Sequence, residues 1–194
     1  SLPSPPGSER AVADRVTAYL DELGLVWDED EAGPAVGSTM GNILWRLPGR
    51  GDAGMPLLLC AHLDTVPPTG PIEPVVEDGV VRNAAATILG ADDKAAVAVM
   101  LEAARRIVGA GLPHPGVELL FTPKEEVGLL GAMAFDRSRL EAAVGFVYDQ
   151  AAPIGEIILG APSQKAIHVR FHGRASHAGM FPEEGRSAIA AAAR

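Results

Sequence analysis

Cysteine is almost missing from this chain of 194 residues: the single Cys60 rules out an internal disulfide and fits a reducing compartment, and as part of PLLLCA it reads as a buried strand residue. Basic residues are scarce as well. Sixteen Lys and Arg stand against 25 Asp and Glu, a formal charge of −9, and gripping a polyphosphate backbone requires clustered cations that this balance does not supply. Nucleic acid is therefore not an expected partner, whereas cations are. Long apolar runs are absent too: none approaches the roughly 20 residues that a membrane-spanning helix needs, and the opening SLPSPPGSER lacks the basic-then-apolar order of a secretory signal. A soluble protein of the cytoplasm, with no membrane partner, is the expectation. No internal repeat is visible, and the Pro/Ser-rich start and the acidic run DEDE at 28–31 both read as solvated surface.

What is present is a folded domain. Hydrophobic residues make up 47% of the chain, enough for a real core, and 22 Gly with 16 Pro punctuate it into many short elements. Val12, Val16, Tyr19, Leu20 and Leu23 recur at helical spacing, with Ser8 placed as N-cap and Gly24 as the stop. NILWRL, PLLLCA, VELLFT and VGFVYD are short apolar runs, and they alternate with helical stretches such as 95–110. This order predicts an α/β layered domain with a mixed, largely buried sheet, in which ligands gather beyond the carboxyl ends of the strands. The texture changes at GAPSQ. QKAIHVRFHG alternates strictly, predicting a half-exposed strand with Ile167, Val169 and Phe171 on one face and His168 and His172 on the other, and RSAIAAAAR predicts the first turns of a helix. The expected division is a catalytic domain over 1–160 and the beginning of a smaller α+β unit over 161–194.

Acids and a histidine come directly after the strands. In AHLDTV, His62 and Asp64 are two apart and project to the same side of an extended backbone; a metal-ligating imidazole commonly hands its other N–H to a carboxylate, which fixes its tautomer and orientation, so this pair would supply ligand and orienter together. In TPKEEVGLLGA, neighbouring side chains point to different sides, so Glu126 could bind a metal while Glu125 faces a substrate as general base, and Gly128 and Gly131 would let the loop pass close to a ligand. In LGADDKAAVAV, Asp92 could bridge two cations, with the helix starting near Lys94 directing its positive end at the acidic cluster. Solvated acids on surface turns would explain each of these motifs taken singly.

Together, AHLDTVPP, LGADDKAAVAV, TPKEEVGLLGA, the Asp149 of FVYDQ and APSQKAIHVRFHGRASHAGMFPEEGRSAIAAAAR resemble the peptidase T-like branch of the cocatalytic zinc metallopeptidases, which also include glutamate carboxypeptidase, acetylornithine deacetylase and succinyl-diaminopimelate desuccinylase. The likeness runs from about residue 40 onward. It implies two divalent ions, most simply zinc, with His62 and Asp149 on one, Asp92 bridging and Glu126 on the second. It further implies that Asp64 orients His62, that Glu125 is the base, that the Asp92–Asp93 peptide bond is cis, and that His177 of ASHAG belongs to a lid and dimerisation domain where it binds substrate. The implied activity is hydrolysis of an amide bond in small peptides by a tripeptidase-like aminopeptidase, working as a homodimer. Deacylases and carboxypeptidases of the same family share these metal residues, and a binding module that has lost the chemistry is a further alternative. The family's last ligand, a far C-terminal histidine, has no counterpart in this chain, which covers about half the usual length and is by itself expected to be inactive. A calcium site is disfavoured by His62, because calcium prefers oxygen.

Overall fold

The computed structural model describes residues 2–24, 26–51, 54–151 and 153–194. Along the chain run α1 (Arg10–Glu22), β1 (Trp27–Glu29), α2 (Ala32–Val36), β2 (Ile43–Leu47), β3 (Leu57–His62), β4 (Pro74–Glu77), β5 (Val80–Asn83), α3 (Lys94–Ala110), β6 (Val117–Thr122), α4 (Leu130–Ala134), β7 (Val144–Val147) and α5 (Ala188–Ala192). The chain divides into two compact units, Ser1–Ala151 and Ala152–Arg194.

In the first unit a five-stranded sheet has the order β1-β2-β6-β3-β7, with β1, β2 and β6 antiparallel in turn and β3 parallel to both β6 and β7. Alternation along the central strands separates two cores. Ile43, Trp45, Ala61, Leu119 and Phe121 face α1 and α3, meeting Val16, Leu20, Met100 and Ala104. Leu44 and Leu120 face the other way, onto Phe135 with Leu58, Cys60 and Leu140. The expected α/β class with a mixed sheet is what forms, although β7 is an exposed edge strand rather than a buried one. The three strands that run parallel, β3, β6 and β7, end at one edge, so the segments leaving them emerge side by side.

Several local expectations need correction. Ser8 does not cap α1. Glu9 occupies that position, fully buried, and its carboxylate accepts Gly7 N at 2.7 Å and Ser38 Oγ at 2.8 Å, while Gly24 at φ +70° provides the expected stop. The acidic run at 28–31 is not simply solvated: Asp28 pairs with Arg139, Glu29 with Arg10, and Asp30 accepts Asn42 N at 2.7 Å and Asn42 Nδ2 at 2.8 Å. Side-chain partners from distant sequence, invisible in composition, convert these acids into fastenings. The β4–β5 hairpin is an addition to the expected strands, and Asp78 and Gly79, both at positive φ between two Val-rich strands, are its characteristic turn.

In the second unit α5 forms where RSAIAAAAR predicted a helix, with Ser187 Oγ accepting Ala190 N at 3.0 Å. The strand expected at 164–173 does not form, because among the described residues nothing pairs with it. An alternating sequence only proposes a strand; a neighbouring chain must take its N–H and C=O groups. His168 and His172 are exposed, consistent with surface roles. Among the described residues no helix is long and apolar enough to cross a membrane.

Candidate metal centre

β3 ends on His62, whose ring is almost wholly buried. Its Nδ1 lies 2.9 Å from the main-chain oxygen of Asp64. A carbonyl oxygen only accepts, so Nδ1 carries the hydrogen and, in the neutral ring, Nε2 keeps its lone pair. Nε2 points at acids: Asp92 Oδ1 is 3.2 Å away and Asp149 Oδ2 4.0 Å. Asp92 reaches this position from the turn before α3, through a cis Asp92–Asp93 peptide bond as the resemblance implies, and Asp149 lies just beyond β7.

The Glu pair arrives from the loop after β6. Lys124 at φ +55° turns the backbone so that Glu125 N and Glu126 N both donate to the Asp64 carboxylate, at 2.8 and 3.0 Å. The nearest partner of His62 Nδ1 is thus the main-chain oxygen of Asp64 rather than the carboxylate expected from the sequence. That carbonyl sets the tautomer, Asp64 Oδ1 stands farther from the ring nitrogen at 3.4 Å, and the best bonds of the carboxylate hold the loop that carries both glutamates. Gly131 serves this loop internally: a Cβ there would stand 2.3 Å from Pro123 O, so the close approach is to the protein's own backbone rather than to a ligand.

Two triads result, His62 with Asp92 and Glu126, and His62 with Glu125 and Asp149, the ligand atoms of each lying within 4.8 Å of one another. All five side chains, drawn from four separate sequence segments, thus converge at the carboxyl ends of the parallel strands. Asp92 is 66% exposed on its side chain while His62 is 2% exposed, so the cluster is rooted in the core and open to solvent on one side. His177 belongs to the second unit, where its Nδ1 accepts Gly179 N at 3.2 Å and Met180 N at 3.1 Å.

Charge crowding shows in the titration of the groups. Burial, and after it the neighbouring acids, raises the carboxyls of Glu125, Glu126 and Asp149, and Asp93, buried beside them, is pushed up to about 6. Burial would raise Asp64 too, but the His62 ring and the two backbone N–H groups hold it below its ordinary value. Burial alone would lower His62; the bond and charge of Asp64, with the charges of Asp93 and Glu125, instead raise it to about 9. Lys94 is brought down by burial, against four acids, to about 8.

One imidazole nitrogen among carboxylate oxygens is a donor set that fits a divalent ion of the zinc, cobalt or manganese kind. The buried Asp93 Oδ2, without a hydrogen-bond partner among the described residues, adds to the negative potential that such an ion would offset. Because Nε2 has one lone pair, it serves one ion, and a second would rest on carboxylates such as Asp92 and Glu126. A proton on His62 competes with that ion. Zinc affinity is expected to rise about tenfold per pH unit as pH climbs from neutrality toward the His62 value of about 9, and then to flatten. Calorimetric titration in two buffers of different protonation enthalpy measures the displaced proton; affinity independent of pH over this interval would contradict it.

The sequence from residue 42 to 165 matches the model of peptidase family M28. The crystal structure of a tripeptidase from Staphylococcus aureus superposes with a TM-score of 0.82 at 32% identity, over 99% of this chain and 51% of that one. Aminopeptidase PepT from Bacillus cereus gives 0.78 at 33% identity, over 99% of this chain and 52% of that one. The uncharacterized protein YqjE of Bacillus subtilis is 38% identical over 175 residues, covering 90% of this chain and 47% of that protein. The chain thus spans about half the length of these relatives. The matched family model and the two superposed peptidase structures agree: the chain belongs to peptidase family M28, within the peptidase T-like branch of the cocatalytic metallopeptidases.

Proposed function

We propose that this protein is a dinuclear zinc aminopeptidase that removes the N-terminal residue from short peptides, tripeptides above all. The observation that supports it best is the convergence of His62, Asp92, Glu125, Glu126 and Asp149 at one edge of the sheet. The likeness to PepT and to a tripeptidase favours peptides over acylated amino acids. His62, Asp92, Glu126 and Asp149 would hold the ions, which when bound polarise the scissile carbonyl and acidify water. Glu125 accepts the proton of the attacking water and delivers it to the leaving amine, a role suited to a carboxylate raised by burial and by nearby acids. Asp64 keeps Glu125 and Glu126 in register with His62. His177, in the second unit, is assigned to the substrate carbonyl, and that unit to a homodimer contact. A single cysteine, Cys60, which makes an internal disulfide of this chain impossible, is compatible with the cytoplasmic setting assigned to the protein.

The test is substrate choice in the full-length protein. Release of the first residue from a tripeptide, abolished by a chelator and restored by zinc, is the expected result. Release of acetate or succinate from acylated amino acids, with tripeptides untouched, would move the assignment to a deacylase. Tight zinc with no turnover on either class would make the protein a binding module.

A further inference from the structure

We infer that Lys94 is a positioning residue of this centre: its ammonium ties the turn at 63–65 to the start of α3, and so sets His62 and Asp92 relative to one another. The inference rests on the metallopeptidase reading and extends it to a residue outside the ligand set. Lys94 Nζ lies 2.8 Å from Leu63 O, 2.6 Å from Thr65 Oγ1 and 3.4 Å from Asp64 O. An ammonium has three hydrogens and no acceptor, so these three oxygens satisfy it.

Two of the three acceptors also belong to the site. Asp64 O is the atom that receives His62 Nδ1–H at 2.9 Å. Thr65 Oγ1 takes its hydrogen bond from Lys94 and turns its own proton to Asp92 O at 3.3 Å. One cation therefore touches both the carbonyl that fixes the imidazole tautomer and the hydroxyl that holds the backbone of Asp92. All three partners are neutral oxygens, so the contacts fix backbone geometry rather than forming an ion pair. The positive charge acts at longer range on Asp64, Asp93, Asp92 and Glu9. A side chain at the first position of a helix is well placed for this, because α3 itself is anchored in the core through Ala96, Val97 and Met100.

The experiment compares the full chain with Lys94→Met, which keeps the length of the stem and removes the donors. Zinc affinity is read by competition with a chromophoric chelator, the His62 ring by long-range 15N–1H correlation on metal-free protein above pH 9, where the imidazole is neutral, and folding by circular dichroism. The expected result is zinc binding weakened about 10–100-fold, with the fold retained and the His62 signal changed from a single Nδ1–H tautomer to a mixture. Wild-type affinity together with an unchanged imidazole overturns the inference. Should Lys94→Met not fold, Thr65→Val decides: a similar loss supports the role, and wild-type affinity and ring signals overturn it. An unsubstituted chain that takes up no divalent ion sinks the metallopeptidase reading; the ring signals of Lys94→Met then still decide the positioning role, an unchanged tautomer overturning it.

Discussion

Exchanging Glu125 for Gln in the full-length protein is expected to lower kcat for tripeptide hydrolysis by about 10²–10⁴-fold while zinc content stays at the wild-type level. The two glutamates enter the centre by the same device, a backbone N–H donated to Asp64, at 2.8 Å for Glu125 and 3.0 Å for Glu126. Glutamine keeps that backbone bond and the side-chain volume; it removes only the group that takes up a proton. Glu125 shares a triad with His62 and Asp149, and Glu126 shares one with His62 and Asp92, so geometry brings both within reach of an ion and chemistry must separate them. Activity assays paired with atomic absorption do this. Lost turnover with full metal identifies the base, lost metal identifies a ligand, and retained turnover removes Glu125 from the reaction.

The elements that carry this cluster are legible as short apolar runs, although β7 proves an exposed edge strand. PLLLCA, VELLFT and VGFVYD are apolar runs, and the residues just past each of them must sit at a strand end. Whether the strands run parallel is not written in any of them, yet it is this direction that brings His62, the Glu pair and Asp149 to one edge. The cis bond and the ligand set come from motif resemblance rather than from periodicity. The illegible part depends on partners far apart in the chain: Asp30 gripping Asn42, Glu9 closing on Ser38, and Asp64 holding the main chain of the glutamates 61 and 62 residues later. Lys94 reads as the start of a helix, and nothing in its spacing reveals that its ammonium reaches back across 29 residues to Thr65. The alternating segment at 164–173 shows the converse, a clear pattern with no partner strand among the described residues to complete it.

Asp64→Ala is expected to cost both stability and metal. Asp64 is completely buried, and its removal leaves the N–H groups of Glu125 and Glu126 unpaired. Each part-buried donor left without its acceptor costs about 1 kcal/mol, the low end of the range for an unsatisfied group, so a loss of about 2 kcal/mol in urea denaturation is the expected scale, with zinc affinity down about 10–100-fold. Asn at the same position separates the two duties of this residue. Its Oδ1 can accept one of the two N–H groups while its Nδ2 can accept neither, so its stability falls between those of Asp and Ala. The main-chain oxygen that receives His62 Nδ1–H is untouched in both variants. Hydrogen exchange should therefore quicken at Glu125 and Glu126 while the His62 ring keeps its tautomer. If the carboxylate acted chiefly on the ring, the pattern would reverse, with protected glutamate amides and a freed imidazole. The loop assignment stands on the shorter contacts, 2.8 and 3.0 Å to the amides against 3.4 Å to the ring, and amide protection retained in Asp64→Ala would overturn it.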